Sequence, residues 1–307
     1  MKYWGVRVDV LREKESKRAT YVQWLKVYRR KNLLKALLLM LPFLVLFVLF
    51  SVTPIVQGIM LSVYRTIAWK EIYVGFRNYI DLFTRDEVFR ITVVNTLRYA
   101  GFSALSMVFA LFLGWILNTL IVKPPSFKKV FQASILVPMV ISWISLGMAW
   151  NWFFAMPFTK GWKNPLTDPN AASWIVASLI MWSSLGYNSI LMMASLRTIP
   201  REYYEAALID GASGTQMFIY ITLPLVKNLL AFMAVTGAIG AFAVFDQIAT
   251  LTGGGPGWST ASMAWYMQRQ VFYSLNYGYA ATIAITLMSF VFILSLVQYR
   301  LIYKRFV

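Results

Sequence analysis

The chain contains no cysteine and no histidine among its 307 residues. Without cysteine it has neither a disulfide framework nor a thiol metal site, and without histidine it lacks the commonest general base and metal ligand. Acidic residues are also scarce, at 12, and none of them pair inside an apolar run. These absences argue against catalytic activity and against a metal site in this chain.

The sequence also lacks the patterns of a phosphate-binding loop and of a signal peptide. The only glycine run, Gly253-Gly254-Gly255, lacks the Gly-Lys-Ser/Thr ending of a phosphate-binding loop. The N-terminal region does not have the pattern of a signal peptide, because a long basic arm precedes the first apolar run and no small-residue cleavage site follows early enough. We therefore expect neither nucleotide hydrolysis by this chain nor removal of its N-terminus.

Apolar residues dominate the composition. The chain is 59% hydrophobic and only 13% charged, with a mean hydropathy of +0.61, whereas soluble domains average about 25% charged residues. A span needs roughly 20 apolar residues, so this length accommodates about six. We predict an all-α integral membrane protein with spans at residues 33–64, 91–120, 130–154, 172–196, 225–248 and 277–299. Pro42 and Pro54 are expected to kink the first span or mark its ends, and Pro138 lies within the third.

The net charge of +17 is concentrated at predicted membrane borders. Eleven of the 29 Lys and Arg residues lie in residues 1–35, and 20 fall in segments predicted to be cytoplasmic. This placement matches the positive-inside rule and binding to anionic lipid headgroups rather than nucleic acid. Both termini are therefore predicted to be cytoplasmic. Residues 1–32 form a basic arm, either an interfacial amphipathic helix or a disordered tail, and residues 33–307 form the transmembrane domain.

The segment at 200–224, between the fourth and fifth spans, contains several residues that commonly start or end helices. Pro200 suits the start of a helix, and Asp210-Gly211 suits its end because glycine adopts the left-handed conformation. Residues 213–216 (Ser-Gly-Thr-Gln) match a capping box for a second short helix. We predict two short helices joined by a bend at Gly211. From these features alone, an ordinary loop between membrane helices remains open.

Seven residues of this segment resemble a known motif. They stand in the spacing of the EAA loop of ABC-importer permeases, and they are Glu205, Ala206, Ala207, Gly211, Ile221, Leu223 and Pro224. Three other segments resemble carbohydrate-uptake permeases of the maltose type, most closely the first of the two partner permeases: residues 75–79 (Gly-Phe-Arg-Asn-Tyr), 95–97 (Asn-Thr-Leu) and 251–257 (Leu-Thr-Gly-Gly-Gly-Pro-Gly). The resemblance extends over residues 35–305.

The resemblance implies the type I permease fold of ABC importers, with six transmembrane helices, in the cytoplasmic membrane of a prokaryote. It implies a permease subunit that imports a carbohydrate together with a second permease, two ATPase subunits and an extracytoplasmic solute-binding protein. ATP and Mg would bind to the ATPase subunits, and this chain would bind no cofactor. The residues expected to couple to the ATPase are Tyr204, Glu205, Ala206, Ala207, Asp210, Gly211 and Ala212.

Small residues follow one another at helical spacing on the fifth span. Gly237, Gly240, Ala241 and Val244 fall at i, i+3, i+4 and i+7. Such a stripe is typical of close helix packing, but the corresponding face in maltose-type permeases lines the sugar site and carries polar side chains. Because this stripe has none, we expect either a wider cavity or hydrogen bonds from the partner permease.

Other substrate-path candidates are polar or aromatic. Asp246 is the only acidic residue at an apolar span, which makes it a functional candidate near the outer mouth together with Gln247. A structural pair between Asp246 and Arg98 is the alternative. On the fourth span, Trp182, Tyr187 and Asn188 offer an aromatic face and an amide for a sugar. The rival functions are an ABC permease for another solute and an ATPase-independent channel or scaffold.

Overall fold

The structure is a computed structural model that describes residues 35, 37–67, 70–119, 125–157 and 161–304. Within these ranges, four helices are long and apolar enough to cross a membrane, and two bent helix pairs raise the number to six if each pair is one span. The predicted basic arm at 1–32 lies outside the described residues. The helical architecture agrees with the predicted all-α class.

The order of elements follows the predicted spans, with additional structure between them. The helices are α1 (Leu37–Leu61), α2 (Arg77–Thr84), α3 (Glu87–Thr119), α4 (Pro125–Val140), α5 (Trp143–Ala155), α6 (Pro169–Leu196), α7 (Arg201–Ile209), α8 (Gly214–Leu225), α9 (Lys227–Phe242), α10 (Asp246–Leu251), α11 (Met263–Phe272) and α12 (Tyr277–Lys304). Between α1 and α2, strands β1 (Tyr64–Ile67) and β2 (Lys70–Tyr73) form an antiparallel hairpin.

The chain divides into two compact units, Met1–Gln57 and Gly58–Val307. The first contains most of α1, whose apolar side chains are exposed in the chain itself. A helix that is apolar all round is typical of a membrane span. The second unit contains all the other described elements.

Two predicted spans are bent rather than straight. The third consists of α4 and α5, which meet at 103°, and the fifth consists of α8 and α9, which meet at 66°. The break between α4 and α5 follows Pro138 by two residues. Because proline removes a helical hydrogen bond and crowds the preceding turn, a helix readily breaks near it. The predicted third span over residues 130–154 therefore corresponds to a bent pair of helices.

Two π-helical turns precede prolines. Val48–Val52 ends two residues before Pro54, and Phe218–Thr222 ends two residues before Pro224. In both, a threonine hydroxyl donates to the carbonyl five residues earlier: Thr53 to Val48 over 2.9 Å, and Thr222 to Met217 over 3.4 Å. The wider turn accommodates the proline ring and the missing N–H. Neither Pro42 nor Pro54 ends the first span, which continues to Leu61.

The segment 75–79 fastens the hairpin to α2. The buried Asn78 amide donates to the carbonyls of Ser62 over 3.0 Å and Tyr64 over 2.7 Å, and its oxygen accepts from Arg65 Nε over 3.2 Å. Arg65 also pairs with Asp81 at 2.7 Å. The hydrogen bond from Arg65 is the main reason that the pKa of Asp81 lies below its ordinary value of 3.8, against the opposing effect of partial burial. The hairpin and α2 therefore form a folded cap.

Asp86 joins three helices at the same end of the structure. Its Oδ1 accepts the backbone N–H of Phe89 over 2.8 Å and so caps α3. Its Oδ2 accepts the hydroxyls of Tyr266 on α11 over 2.7 Å and Tyr279 on α12 over 2.6 Å. Burial, reinforced by the contact with Asp86, raises the pKa of Tyr266, which keeps that hydroxyl protonated as a donor.

The start of α3, which includes the segment 95–97, contacts the stretch that directly follows the segment 251–257. The amide of Asn95 donates to the carbonyls of Trp258 over 3.2 Å and Ala261 over 3.0 Å, and the Tyr99 hydroxyl donates to the Thr260 carbonyl over 2.7 Å. These bonds hold the stretch after the glycine run against α3. Because buried backbone carbonyls need hydrogen-bond partners, the Asn95 side chain stabilises this loop by donating to two of its carbonyls.

The core consists of three apolar clusters, and α3 contributes to each through Phe89, Tyr99 and Leu111. The α3 helix packs most extensively against α6. Where α6 crosses α4, a Cβ at Gly186 would lie 2.7 Å from the Ile135 carbonyl oxygen, so only glycine permits this approach. These crossings place faces of α3, α6 and α9 around a common space.

Candidate functional site

The predicted pair of short helices at 200–224 is present. The α7 helix begins at Arg201, directly after Pro200, and ends at Ile209. Gly211 follows with φ +76°, and the Ala212 N–H donates to the Ala207 carbonyl over 2.9 Å, which is the left-handed ending expected of glycine. Ser213 and Gln216 form the predicted capping box at the start of α8. Local sequence signals therefore determine the bend.

The end of α7 is unusually apolar for an exposed helix. Glu205, Ala206, Asp210 and Gly211 are exposed, and Ala207 and Ala212 are half-buried. Two neighbours that the motif did not indicate, Leu208 and Ile209, are 60% and 87% exposed. Exposed apolar groups next to small residues are typical of a docking surface. The sequence signal for this exposed apolar surface was the pair of large aliphatic residues directly before the predicted helix end at Asp210-Gly211.

Tyr204, predicted to couple to the ATPase with the rest of the motif, contacts its own chain. It is half-buried, and its hydroxyl forms a hydrogen bond of 2.9 Å with the hydroxyl of Thr222 in the π-helical turn of α8. Thr222 is fully buried. This bond fastens α7 to the helix that leads into α9.

A cavity of about 320 Å³ lies where α3, α6 and α9 face one another. From α6 it is lined by Ser183, Ser184, Tyr187 and Asn188, which form i, i+4 pairs on one face, and from α9 by Thr236, Gly237, Gly240 and Ala241. The remaining lining residues are Ser103, Met139, Trp143, Ile180, Val244 and Gln247. The polar groups that the α9 stripe lacks are thus mostly supplied by α6.

Seven of the nine residues predicted for the substrate path line this cavity: Tyr187, Asn188, Gly237, Gly240, Ala241, Val244 and Gln247. Trp182 does not, and packs edge-to-face against Trp150 at 5.9 Å. Asp246 does not either, and lies exposed in the first turn of α10. The lining residues that we did not single out include three serines and a threonine. Spacing relative to Tyr187 and Asn188 could have revealed only the two serines on α6, because Ser103 and Thr236 lie on other helices.

The fifth span ends earlier than predicted, at Phe242 rather than 248. The carbonyl of Val244 accepts the hydroxyl of Ser262, which also caps α11 by accepting the Trp265 N–H. This long-range bond holds the chain outside a helix at Val244. Val244 therefore reaches the cavity from beyond the helix and does not belong to the face of Gly237.

The alternative pairing of Asp246 with Arg98 is contradicted. Arg98 contacts the Asn95 side chain at 3.5 Å and stacks over Trp174 at 5.4 Å. In the described part of the chain, both recorded salt bridges involve Asp81, and neither involves Asp246. Asp246 is thus a solvent-facing carboxylate at the start of a short helix, a favourable position for negative charge.

The cavity is polar but uncharged. None of its described lining residues is acidic or basic. The amide nitrogen of the buried Asn188 donates to Ser106 over 2.8 Å, which orients the side chain and leaves its oxygen as an acceptor. Serine and threonine hydroxyls both donate and accept. Within the described ranges, no three His, Cys, Asp or Glu residues cluster as metal ligands.

Comparison with known proteins matches this chain to membrane components of transport systems. Residues 110–306 match the family model described as "Binding-protein-dependent transport system inner membrane component". The chain is 30% identical to the sulfoquinovosyl glycerol transport system permease protein SmoG of Agrobacterium fabrum, over 97% of each chain. It is also 30% identical to the trehalose/maltose transport system permease protein MalF of Thermococcus litoralis, over 84% of this chain and 89% of that one.

A solved structure shares the fold. A chain of a bacterial ABC transporter involved in the import of the acidic polysaccharide alginate superimposes with a TM-score of 0.75 at 25% identity. The match covers 92% of this chain and 99% of that one.

Proposed function

Because this chain belongs to the family of binding-protein-dependent transport system inner membrane components, we propose that it imports a carbohydrate as one permease subunit of an ATP-driven transporter. Membership confirms the expectation, based on the EAA loop, of a multi-pass permease with the type I fold. The family is one of transporters rather than enzymes. The observation that carries the carbohydrate assignment is the similarity to SmoG along nearly the whole chain.

The proposed partners follow from this role. A second permease completes the translocation path, two ATPase subunits bind ATP and Mg and hydrolyse the nucleotide, and an extracytoplasmic binding protein delivers the solute. Both termini and α7 lie on the cytoplasmic side in this proposal. The excess of basic residues in the corresponding segments supports that orientation.

Coupling is assigned to the exposed surface of α7. The carboxylate of Glu205 is available for a charge-assisted hydrogen bond with a basic group of the ATPase, while Ala206 permits close approach. Leu208 and Ile209 add apolar area that docking would remove from water. Movement of α7 is transmitted through the Tyr204–Thr222 contact to α8. The bent pair α8–α9 then alters the wall of the cavity, a change between two packed arrangements.

The substrate path is assigned to the uncharged cavity. Hydroxyls from α6 and the oriented Asn188 amide offer hydrogen bonds, and the exposed Tyr187 ring offers a flat apolar face for a pyranose. A charged solute would enter this cavity without a counter-ion from the described residues, which is costly. We therefore place neutral sugars or oligosaccharides ahead of phosphorylated or acidic ones.

The test is reconstitution of the chain with its partner permease, ATPase and binding protein in proteoliposomes. We expect uptake of a labelled neutral oligosaccharide that requires ATP, and loss of uptake in Glu205→Lys with the variant still present in the membrane. Uptake that persists without the ATPase would instead identify a channel. Normal uptake by Glu205→Lys would overturn the coupling assignment, and ATP-driven uptake of only non-carbohydrate solutes would overturn the substrate class.

A further inference from the structure

A second cavity, of about 340 Å³, lies apart from the translocation cavity and shares no lining residue with it. It is formed between the start of α3, the start of α6 and the loop that contains Ser259, and its lining includes Arg90, Asn95, Arg98, Asn170, Ser173 and Ser259. We propose that this pocket binds a phosphate group, carried by an anionic phospholipid or free in solution.

The pocket is basic. Arg90 and Arg98 both line it, and no described lining residue is acidic. The nearest carboxylate along α6, Asp168, is engaged at the helix N-terminus, where it accepts the Ala171 N–H over 2.8 Å. Two guanidinium groups within one pocket repel each other unless an anion lies between them. Their planar forks match the oxygen geometry of phosphate.

Both arginines retain most of their hydrogen-bonding capacity. Arg90 donates one recorded bond, from Nη2 to the Thr84 carbonyl over 2.9 Å, and Arg98 donates one long bond, of 3.5 Å, to Asn95. A guanidinium carries five N–H donors. Arg98 is further held by stacking over Trp174 at 5.4 Å, so its direction is restricted while most donors stay available.

Two serine hydroxyls provide independent support for a ligand. Ser173 is 2% exposed, and its Oγ is buried without a hydrogen-bond partner among the described residues. The Oγ of Ser259, across the pocket, is buried and unpartnered as well. Buried polar atoms without partners are rare because each costs free energy. A phosphate oxygen in the pocket would supply an acceptor to both hydroxyls and to the arginines.

The surroundings favour a lipid as the carrier. The helices α3 and α6 both begin at this pocket and both qualify as membrane spans, so the pocket lies at the end of the apolar region, where lipid phosphates reside. The α3 side chains Val94 and Leu97 next to it are exposed and apolar, as is the ring of Trp174. Acyl chains would cover these groups while Arg98 extends toward the headgroup.

The experiment uses the assembled transporter, purified in detergent and analysed by native mass spectrometry. Phosphatidylglycerol and phosphatidylcholine are titrated in separate arms, and a third arm measures the thermal shift with inorganic phosphate at constant ionic strength. The double variant Arg90→Gln/Arg98→Gln removes the proposed ligands. Arg77→Gln/Arg85→Gln is the matched control, because it removes the same charge from exposed positions at the two ends of the nearby α2.

We expect phosphatidylglycerol to be retained by the wild type and the control, and its affinity to fall about tenfold or more in the double variant. A shift with inorganic phosphate that disappears in the double variant supports the same site with a free anion as ligand. Equal affinity losses in both double variants would overturn the proposal, because they would indicate general charge attraction. No difference between the wild type and the double variant in any arm would also overturn it.

Ser173→Ala tests the pocket even if the arginine variant fails to assemble. In an empty pocket this change removes an unsatisfied hydroxyl, so stability without lipid should be unchanged or higher. If phosphate is its partner, the affinity for phosphatidylglycerol or phosphate should fall about threefold to tenfold. Unchanged affinity in Ser173→Ala would contradict the role of the buried hydroxyl and with it the proposed site.

Discussion

The hydroxyl of Tyr204 lies 2.9 Å from the hydroxyl of Thr222. This contact joins the exposed helix α7 to the π-helical turn of α8, and α8 leads at a 66° bend into α9, which lines the translocation cavity. Thr222 is fully buried, so its hydroxyl has a restricted position. The pair is a direct polar connection between the proposed docking surface and the helix that leads to the proposed path.

Removing this connection should reduce coupling more than stability. Tyr204→Phe deletes one hydrogen bond, worth about 1 kcal/mol, and leaves the ring in place. We expect ATP hydrolysis to continue while the amount of solute imported per ATP falls several-fold. The measurement is uptake and phosphate release in the same proteoliposomes. Tyr203→Phe, which alters an exposed neighbour, is the control; an equal loss there would contradict the role of Tyr204.

The bend at Gly211 should be sensitive to any side chain. Gly211 has φ +76°, where an L-residue costs roughly 1–2 kcal/mol. No atom lies within 4 Å of a Cβ built there, so conformation rather than crowding is the cause. Gly211→Ala should lower uptake severalfold and Gly211→Pro should abolish it, whereas Gly214→Ala, in equally open space, should preserve it. Equal uptake in Gly211→Ala and Gly214→Ala would refute this interpretation.

The exposed side chain of Ile209 should contribute to ATPase binding without supporting the fold. It is 87% exposed, so Ile209→Ser should leave the thermal stability of the isolated chain unchanged. Burial of such a side chain contributes about 1.5–3 kcal/mol, which corresponds to roughly tenfold or more in affinity for the ATPase. Quantitative co-purification measures this loss. Tyr220→Ser, at another exposed position, should retain the ATPase; otherwise general surface polarity explains the result.

Filling the cavity should block transport without unfolding the protein. Gly240 lines the cavity, and nothing lies within 4 Å of a Cβ placed there. Gly240→Trp should therefore insert a ring into the path and reduce uptake by at least about tenfold, since the ring occupies a large part of the space. Gly101→Trp on α3 is equally open but lies outside the lining. Uptake that survives in Gly240→Trp would exclude this cavity as the path.

The folded cap formed by the hairpin and α2 should lose stability in acid. The pKa of Asp81 is held below its ordinary value of 3.8, chiefly by the hydrogen bond from Arg65. A lowered carboxyl pKa stabilises the fold above the ordinary value, and this stability is lost as the pH falls through it toward the folded value. Between about pH 5 and about pH 3, the melting temperature should fall less steeply in Arg65→Gln than in the wild type. Arg85→Gln, at a more exposed pair with a smaller effect on the pKa of Asp81, should change the slope less than Arg65→Gln does.

Short-range sequence signals predicted the helix ends of the candidate site but not the features that depend on long-range hydrogen bonds. The capping box at Ser213 and the bend at Gly211 depend on a few adjacent residues, so their structure followed directly. The early end of α9 did not, because it depends on a bond from Ser262 to the carbonyl of Val244, 18 residues away. Likewise, nothing adjacent to Tyr204 indicated that its hydroxyl would bond to Thr222.

The amino-acid sequence alone determined that this protein is helical, lies in a membrane, carries an EAA loop and contains neither cysteine nor histidine. Those properties depend on composition, apolar run length and short-range helix signals. Only the tertiary structure decided which hydroxyls surround the path, that Asp246 and Arg98 do not pair, and that two arginines share a pocket with unpartnered serines. The reason is that these relationships are set by where bent helices cross, and crossings depend on contacts between residues far apart in the chain.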